Sequence, residues 1–308
     1  MEKYYGSVLP DREGSITGPQ GNGIWYRVNG VNRPGTPLLI VHGGPGFSHH
    51  YLLSLVDLAG DRPVYFYDQS GCGHSDRSNV PESWSIEYFV NEIGHVRRAL
   101  GLTEYFLMGH SWGGLIVPPF AASNPDGIQG LILSSPAVSE PRYAADAQIL
   151  RQGLPPEIFD VLERHERDGT REDREYQAAS DYYYAQHFCR MTDWPQDISE
   201  TFDRINEDLF HSVWGRADFS ADPGTPARGF DGEKFLKSVT VPTLVTAGEF
   251  DTCTPDSAGH YASLPPNGVV EIFRGASHCP HYELRETFME TVGSWVASIE
   301  NRSTGQGL

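Results

Sequence analysis

The stretch YFLMGHSWGGLIV, residues 105–117, decides the fold of this chain. An apolar run is followed by GHSWG (109–113), which matches the pattern Gly-x-Ser-x-Gly. The pattern is informative only between a strand and a helix, and YFLM predicts the strand while GGLIVPPFAA predicts the helix. A tight turn between glycines lets a serine hydroxyl project from the edge of a sheet, since larger flanking side chains would collide with the backbone. Ser111 is therefore a candidate nucleophile.

Strand-like and helix-like segments alternate on both sides of this serine. Apolar runs rich in β-branched and aromatic residues predict strands, and apolar residues at helical spacing predict helices. The predicted strands lie in residues 23–31, 36–44, 62–73, 105–108, 129–135, 239–251 and 268–278, and the predicted helices in 48–60, 85–102 and 283–300. This alternation predicts an α/β fold with a mostly parallel central sheet covered by helices on both faces.

The alternation is interrupted after the predicted strand 129–135. Residues 139–235 are polar, aromatic and helical in pattern, so we expect a helical cap inserted between two core segments, 1–138 and 236–308. Aromatic residues of this segment either contact a substrate or pack the interior of the cap: Tyr182, Tyr183, Tyr184, Trp194 and Trp214. The whole chain has 39% hydrophobic and 21% charged residues, which is typical of a globular protein.

A nucleophilic serine needs a general base, and the base needs a carboxylate that orients it. In chains with this serine turn, the order is Ser, then acid, then His. Asp251 ends one predicted strand and is the favoured acid, with Glu249 and Asp256 as alternatives. His278 follows the next strand and is the favoured base, with His281 as the alternative. Because parallel strands end at the same edge of a sheet, we expect the acid and the base to face the serine.

The sequence HGGPG, residues 42–46, supplies a second element of the site. It follows the apolar run LLIV, and glycines allow main-chain N–H groups to approach a substrate oxygen closely. Gly44 is the favoured donor of an oxyanion hole, together with the N–H group of Trp112 at the start of the predicted helix. Gly43 is a candidate contact for the substrate.

Charge and composition exclude several classes of partner and cofactor. The chain has 41 acidic and 23 basic side chains and a net charge of −18, so it should repel nucleic acid and anionic membranes. No His, Cys or carboxylate cluster has metal-ligand spacing and no glycine-rich phosphate loop occurs, so we expect a mechanism without a metal or other cofactor. The expected partner is a small molecule or a short peptide.

The cysteines and the termini bear on the location of the protein. The four cysteines lie at positions 72, 189, 253 and 279 without a Cys-x-x-Cys pair, which favours reduced thiols in an intracellular protein. The N-terminus has no apolar signal segment and no apolar run is long enough to span a bilayer, so we predict a cytoplasmic location. The sequence makes no prediction of the oligomeric state.

Four segments of the sequence resemble the proline iminopeptidases of the α/β-hydrolase fold. They are HGGPG, YDQSGCGHSD (67–76), GHSWGG, and GEFD together with SHCPH. HGGPGFSHHYLLSLVDL with FYDQSGCGHSD is especially similar to the tricorn-interacting aminopeptidases of that group. The resemblance spans roughly residues 20–138 and 236–300.

This resemblance implies an α/β-hydrolase core with a helical cap. It also implies cleavage of an N-terminal residue, often proline, through an acyl-enzyme. The triad would be Ser111, Asp251 and His278, with the N–H groups of Gly44 and Trp112 as the oxyanion hole. Acidic residues of the cap and the core would bind the free ammonium group of the substrate.

One position departs from the pattern of this family. The tricorn-interacting enzymes carry a Glu directly after the triad Asp, whereas this chain has Thr252, which is a second candidate contact for the substrate. An acidic residue of the late cap survives as Asp218, within WGRADF, and is the candidate partner of the ammonium group. Loss of one carboxylate would weaken the hold on a cation, because charge-assisted contacts are its main anchor.

Three functions stay open at this point. The favoured one is release of an N-terminal residue, proline or another small or apolar amino acid, from peptides or amino-acid amides. The second is hydrolysis of an ester, lactone or amide of a small metabolite without need of a free amine, which Thr252 and the aromatic cap residues favour. The third is a non-hydrolytic protein that binds or rearranges a ligand, and the intact set of triad residues argues against it.

Overall fold

The computed structural model describes residues 4–77, 84–123, 125–217 and 219–303. Within these residues the strands are β1 (Arg12–Thr17), β2 (Gly23–Asn29), β3 (Leu38–Val41), β4 (Val64–Tyr67), β5 (Tyr105–His110), β6 (Ile128–Ser134), β7 (Thr243–Gly248) and β8 (Gly268–Phe273). They form one sheet in the spatial order β1-β2-β4-β3-β5-β6-β7-β8. The sequential order of β5 to β8 brings the ends of these strands together at one edge.

The sheet is mostly parallel, as the sequence predicts. Only the β1–β2 and β2–β4 pairs of the described sheet are antiparallel, and the other pairs are parallel. The sequence pattern did not predict β1. Its residues REGSIT are exposed or half-buried at the edge of the sheet, so the strand carries almost no apolar signal.

The buried strands divide the core into two layers. In β3, Leu39 and Val41 pack on one side of the sheet, and Leu38 and Ile40 pack on the other. All four are buried. Successive side chains of a strand point to opposite faces, so a strand that is apolar throughout needs cover on both sides. Helices supply that cover, and the predicted α/β fold is confirmed.

The described chain also contains helices in and around the core. A 3₁₀ helix spans His49–Gly60, where the spacing predicted a helix, and a short one spans Tyr5–Ser7. The α-helices are α1 (Ile86–Ala99), α2 (Gly113–Ala122), α3 (Glu140–Gln152), α4 (Pro156–Asp168), α5 (Arg174–His187), α6 (Gln196–Asp203), α7 (Glu207–Val213), α8 (Glu233–Leu236), α9 (Pro255–Ser263), α10 (Pro280–Glu283) and α11 (Arg285–Ser303). The Ser85 side chain caps α1 by accepting a hydrogen bond from Tyr88 N at 3.1 Å.

Helices α3 to α7 form an insertion after β6, the sixth strand of the sheet. Ser139 and Asp231 pair in a single antiparallel bridge, and Gly232 N donates to Val138 O at 3.0 Å. The insertion therefore leaves the core and returns to it at one place. The predicted bounds of the cap, residues 139–235, stay a prediction.

Two further observations concern the cysteines and the membrane. Cys72, Cys189, Cys253 and Cys279 are all buried and free. Burial raises the pKa of the Cys253 and Cys279 thiols well above the ordinary value. Of the helices in the described residues, none combines the length and the apolar character that crossing a bilayer requires.

Candidate active site

Ser111 lies in the turn between β5 and α2. Its φ angle is +54°, in the left-handed region that residues other than glycine rarely adopt. The main chain holds this conformation because Ser111 N donates to Ser134 O at 3.2 Å and Gly114 N donates to Ser111 O at 2.8 Å. Such a conformation costs about 1–3 kcal/mol and is typical of functional positions. The turn directs the serine side chain into a cavity at the edge of the sheet.

Lack of space around the turn requires glycine at two positions. A Cβ atom at Gly109 would lie 2.6 Å from Gly113 O, and one at Gly113 would lie 2.2 Å from Val41 O. Both obstacles are main-chain oxygens, which cannot rotate away as a flexible side chain can. The turn is therefore packed directly against the end of β3.

We expect Gly113→Ala to destabilise the protein by about 1–3 kcal/mol, the usual cost of overpacking a core. Hydrolytic activity should fall as well, because the added methyl group forces the serine turn away from β3. Urea unfolding measures the first effect. Gly259→Ala is the matched control, since a Cβ there meets nothing within 4 Å and a helix interior favours Ala. Equal stability of the two variants would contradict the packing argument.

The favoured acid and base are in direct contact. Asp251 follows the end of β7 and His278 follows the end of β8, and His278 Nδ1 lies 2.7 Å from Asp251 Oδ1. The buried carboxylate also accepts hydrogen bonds from Cys253 N at 3.0 Å and Gly248 N at 3.1 Å. Because the carboxylate of Asp251 accepts a hydrogen bond from His278 Nδ1, Nδ1 carries the proton and Nε2 is left as the basic atom. His278 lines the same cavity as Ser111.

The alternative acids and the alternative base lie in other surroundings. Glu249 is exposed and accepts a hydrogen bond from Gly275 N at 2.9 Å. Asp256 is exposed in the first turn of α9. His281 is buried in α10, where its Nε2 lies 2.9 Å from Tyr51 O, and burial lowers its pKa to about 4. The contact between acid and base thus involves the favoured pair.

Thr252 places its hydroxyl beside this pair. Thr252 Oγ1 lies 2.9 Å from His278 Nδ1 and 3.3 Å from Asp251 Oδ1. The hydroxyl can donate to the carboxylate while it accepts a share of the imidazole proton. Thr252 also lines the cavity, so its contact with a substrate stays a prediction. Its contact with the acid and the base is part of the structure.

The loop after β3 brings Gly44 to the cavity beside Trp112. His42 holds this loop, because its Nε2 accepts from Gln69 N at 3.0 Å and its Nδ1 donates to Gly43 O at 2.7 Å. Burial lowers the pKa of His42 to about 4, which keeps the ring neutral as this pattern requires. The Trp112 indole donates to Gln69 Oε1 at 3.1 Å, so both sides of the predicted oxyanion hole share one support.

A chain of buried hydrogen bonds joins this loop to the base. Gly43 N donates to the Tyr51 hydroxyl at 2.7 Å, the hydroxyl donates to His110 Nδ1 at 2.9 Å, and His110 Nε2 donates to His278 O at 3.0 Å. Desolvation lowers the pKa of His110 well below its ordinary value, so the ring is neutral. Gly43 uses its N–H group in this chain and is not among the described residues that line the cavity.

The cavity above the serine is small, about 90 Å³. In addition to the residues named so far, its described lining is aromatic or apolar and consists of Phe47, Ala137, Tyr143, Tyr184, Phe188, Phe210 and Trp214. No carboxylate occurs among the described lining residues. Asp218 lies outside the described residues, so its contact with an ammonium group stays a prediction.

The five aromatic cap residues divide between the two predicted roles. Tyr184 and Trp214 line the cavity. Tyr183 is buried in the interior of the cap, and Trp194 packs on neighbouring aromatic rings. Tyr182 is 40% exposed. Tyr183 and Trp194 therefore take part in internal packing, and contact with a substrate stays a prediction for Tyr184 and Trp214.

Comparison with known proteins identifies the family. The sequence matches the family described as alpha/beta hydrolase fold over residues 36–283. A proline iminopeptidase of Heyndrickxia coagulans is 34% identical over 269 residues, which cover 87% of this chain and 93% of the relative. A proline iminopeptidase of Thermoplasma volcanium is 34% identical over 272 residues, covering 87% and 91%. This chain belongs to the proline iminopeptidase family of α/β-hydrolases.

Solved structures of similar sequence agree with this membership of the proline iminopeptidase family. The proline iminopeptidase of Mycobacterium smegmatis is 31% identical with a TM-score of 0.86, covering 94% of this chain and 100% of that one. The structure of VinJ is 32% identical with a TM-score of 0.88 and the same coverage. The likeness therefore extends over the cap as well as the core.

Sequence reasoning missed several residues of this proline iminopeptidase site. The cavity is also lined by Phe47, Tyr143, Phe188 and Phe210, which no motif of the sequence marks. Phe47 follows HGGPG in the core and carries no distinguishing signal. The only signal for the other three is the abundance of aromatic residues in the cap. Which of them face the core depends on how the cap helices pack over it, and local sequence does not determine that.

In the described part of the cap, the possible ligand atoms of His165, Asp173 and Glu175 lie within 4.8 Å of one another, close enough in space to share a metal ion although their spacing in the sequence does not indicate a site. Glu175 is already paired with Arg164 at the surface, and His165 Nδ1 lies 2.7 Å from the Thr170 hydroxyl. The group is also separate from the described lining of the cavity. It adds no chemistry to the candidate active site.

Proposed function

We propose that the protein is a serine aminopeptidase that releases an N-terminal residue from peptides or amino-acid amides, with proline or another small apolar residue preferred. The observation that carries this proposal is the 2.7 Å contact between His278 Nδ1 and Asp251 Oδ1 beside the cavity that contains Ser111. The identity of 34% to two proline iminopeptidases over more than nine-tenths of their length supports the same activity.

The proposed mechanism uses only side chains and main-chain amides. Ser111 Oγ attacks the carbonyl carbon of the N-terminal residue while His278 Nε2 accepts the hydroxyl proton, and Asp251 stabilises the resulting imidazolium. The N–H groups of Gly44 and Trp112 stabilise the oxyanion of the tetrahedral intermediate. His278 then donates its proton to the leaving amine, which leaves an acyl-enzyme. A water molecule deprotonated by His278 releases the amino acid and restores the serine.

The size of the cavity supports a small substrate. Its volume of about 90 Å³ is far below the roughly 300–1,000 Å³ of pockets for drug-sized ligands. A small molecule or the first residue of a short peptide is therefore the proposed partner. We also place the enzyme in the cytoplasm, an environment in which free thiols such as its four cysteines persist.

A second candidate function rests on the lining of the cavity. The described lining residues include six aromatic side chains besides Trp112 and no carboxylate, and the Thr252 hydroxyl is engaged with the acid and the base. These features favour an uncharged substrate, such as an ester, lactone or amide of a small metabolite. The acyl-enzyme chemistry would be the same, so the two functions differ only in the need for a free amine.

Substrates with a free or a blocked amine separate these two functions. We expect kcat/KM for prolyl-2-naphthylamide to exceed that for N-acetylprolyl-2-naphthylamide by about 10- to 100-fold, the value of one or two contacts to a charged group. A 4-nitrophenyl acyl ester without an amine serves as the control substrate for the chemical steps. Equal kcat/KM for the free and the acetylated amide would reject the aminopeptidase proposal in favour of the second function.

A further inference from the structure

The C-terminal end of α5 lies against both loops that carry the acid and the base. We call residues 249–254 the acid loop and residues 275–279 the base loop. His187, the last residue of α5, contacts each of them once. His187 Nδ1 lies 2.8 Å from Phe250 O, and the main-chain oxygen of His187 accepts a hydrogen bond from His278 N at 3.2 Å.

The hydrogen bond to Phe250 O determines the tautomer of the His187 ring. A main-chain carbonyl can only accept, so Nδ1 of His187 carries the proton and donates it to Phe250 O. The residue is 9% exposed, and its ring lies 4.8 Å from that of Tyr183. Burial lowers the pKa of His187, while the positive charge of Arg190 and the negative charge of Asp251 act on it in opposite directions. The contact is therefore a hydrogen bond from a neutral ring.

The residues after His187 attach to the same two loops. The Arg190 guanidinium lies 4.0 Å from the centre of the Phe250 ring. Arg190 N donates to Glu283 Oε1 at 2.8 Å, and Glu283 Oε2 accepts from Ser277 N, also at 2.8 Å. Ser277 precedes His278 directly, so the cap segment 187–190 supports both catalytic loops at once.

The contacts of His187 act on the peptide groups next to the acid and the base. Phe250 O belongs to the peptide group that joins Phe250 to Asp251. A hydrogen bond to this oxygen fixes the orientation of that peptide group and therefore the direction in which the Asp251 side chain points. The hydrogen bond from His278 N to His187 O fixes the main chain of His278, and with it the position of the imidazole, in the same way. Displacement of a catalytic group by about 1 Å can lower the rate about 100-fold. His187 is not among the described residues that line the cavity, so its effect on a substrate is indirect.

We propose that His187 is a positioning residue: from the cap, it holds the acid loop and the base loop in register so that Asp251 and His278 meet in front of Ser111. The inference rests on the proposed function, since it requires the triad. If His187 has this role, the catalytic rate depends on correct packing of the cap against the core. No catalytic contact of His187 itself is involved.

Two amide substitutions test this role. In His187→Asn the side-chain nitrogen takes nearly the place of Nδ1, whereas in His187→Gln it lies closer to Nε2, so only Asn can donate to Phe250 O. We expect kcat for prolyl-2-naphthylamide to fall about 10- to 100-fold in H187Q with KM changed less than about twofold, and to stay within about threefold of wild type in H187N. The rate at which a fluorophosphonate labels Ser111 should follow kcat.

A second cap histidine provides the matched control. His165 is 8% exposed, and its ring is hydrogen-bonded to the Thr170 hydroxyl within the cap. His165→Gln should leave kcat and the labelling rate unchanged, with thermal unfolding measured for every variant. Equal losses in H165Q and H187Q, or equal losses in H187N and H187Q, would overturn the positioning role. Failure of the fluorophosphonate to label the wild-type enzyme would instead refute the proposed triad itself.

Discussion

Ser111→Ala should lower kcat for prolyl-2-naphthylamide by about 10⁴- to 10⁶-fold while the protein stays folded. Members of a serine triad act as a unit, so removal of the nucleophile costs nearly as much as removal of all three. The residual rate would come from the oxyanion hole and from substrate binding alone. Alanine accepts the left-handed φ angle of +54° no better than serine does, so little relief of strain is expected. Steady-state kinetics and thermal unfolding measure the two quantities.

Ser54→Ala is the matched control for this prediction. Ser54 is fully buried, and its hydroxyl has no hydrogen-bond partner within the described structure. Its loss should leave kcat unchanged. Turnover by Ser111→Ala within about tenfold of wild type would show that another group attacks the substrate. The assignment of the nucleophile would then be wrong.

Asp251→Asn should lower kcat by about 10⁴-fold, the effect known for loss of the orienting carboxylate in a serine triad. The aspartate accepts hydrogen bonds from Cys253 N and Gly248 N as well as from His278 Nδ1. An amide keeps one accepting oxygen but turns an NH₂ group toward one of these donors. The imidazole then favours the tautomer with its proton on Nε2, which cannot accept the proton of Ser111.

Asp256→Asn is the control for this variant, because it makes the same chemical change at an exposed position in the first turn of α9. We expect its kcat to equal that of wild type. A loss of only about tenfold in Asp251→Asn, or a comparable loss in Asp256→Asn, would mean that Asp251 does not orient the base. Circular dichroism of both variants shows whether the fold is retained.

Much of the core could be predicted from local sequence. The serine turn was recognisable because two main-chain oxygens leave no space for a side chain at Gly109 and Gly113, so the glycines mark the turn. The contact between Asp251 and His278 could be expected because consecutive parallel strands, β7 and β8, end at the same edge. In each case the signal and the structural cause lie within a few residues of each other.

Features that depend on distant parts of the chain could not be predicted. The strand β1 is stabilised by pairing with β2 at the edge of the sheet, and its own residues are too polar to show the apolar pattern that predicts a strand. The contact of His187 with the acid loop follows from packing between the cap and the core. No periodicity in the sequence records such contacts, because each depends on where a separately folded segment comes to rest.

The bridge between Ser139 and Asp231 has a consequence for how this architecture can diversify. Since the insertion departs and rejoins at a single point, evolution can lengthen, shorten or exchange it without displacing β6 or β7. Related enzymes can thus inherit the same catalytic residues beneath a different insertion that admits other substrates. The exchange has one condition, because any replacement must again support the acid loop and the base loop, both of which His187 contacts.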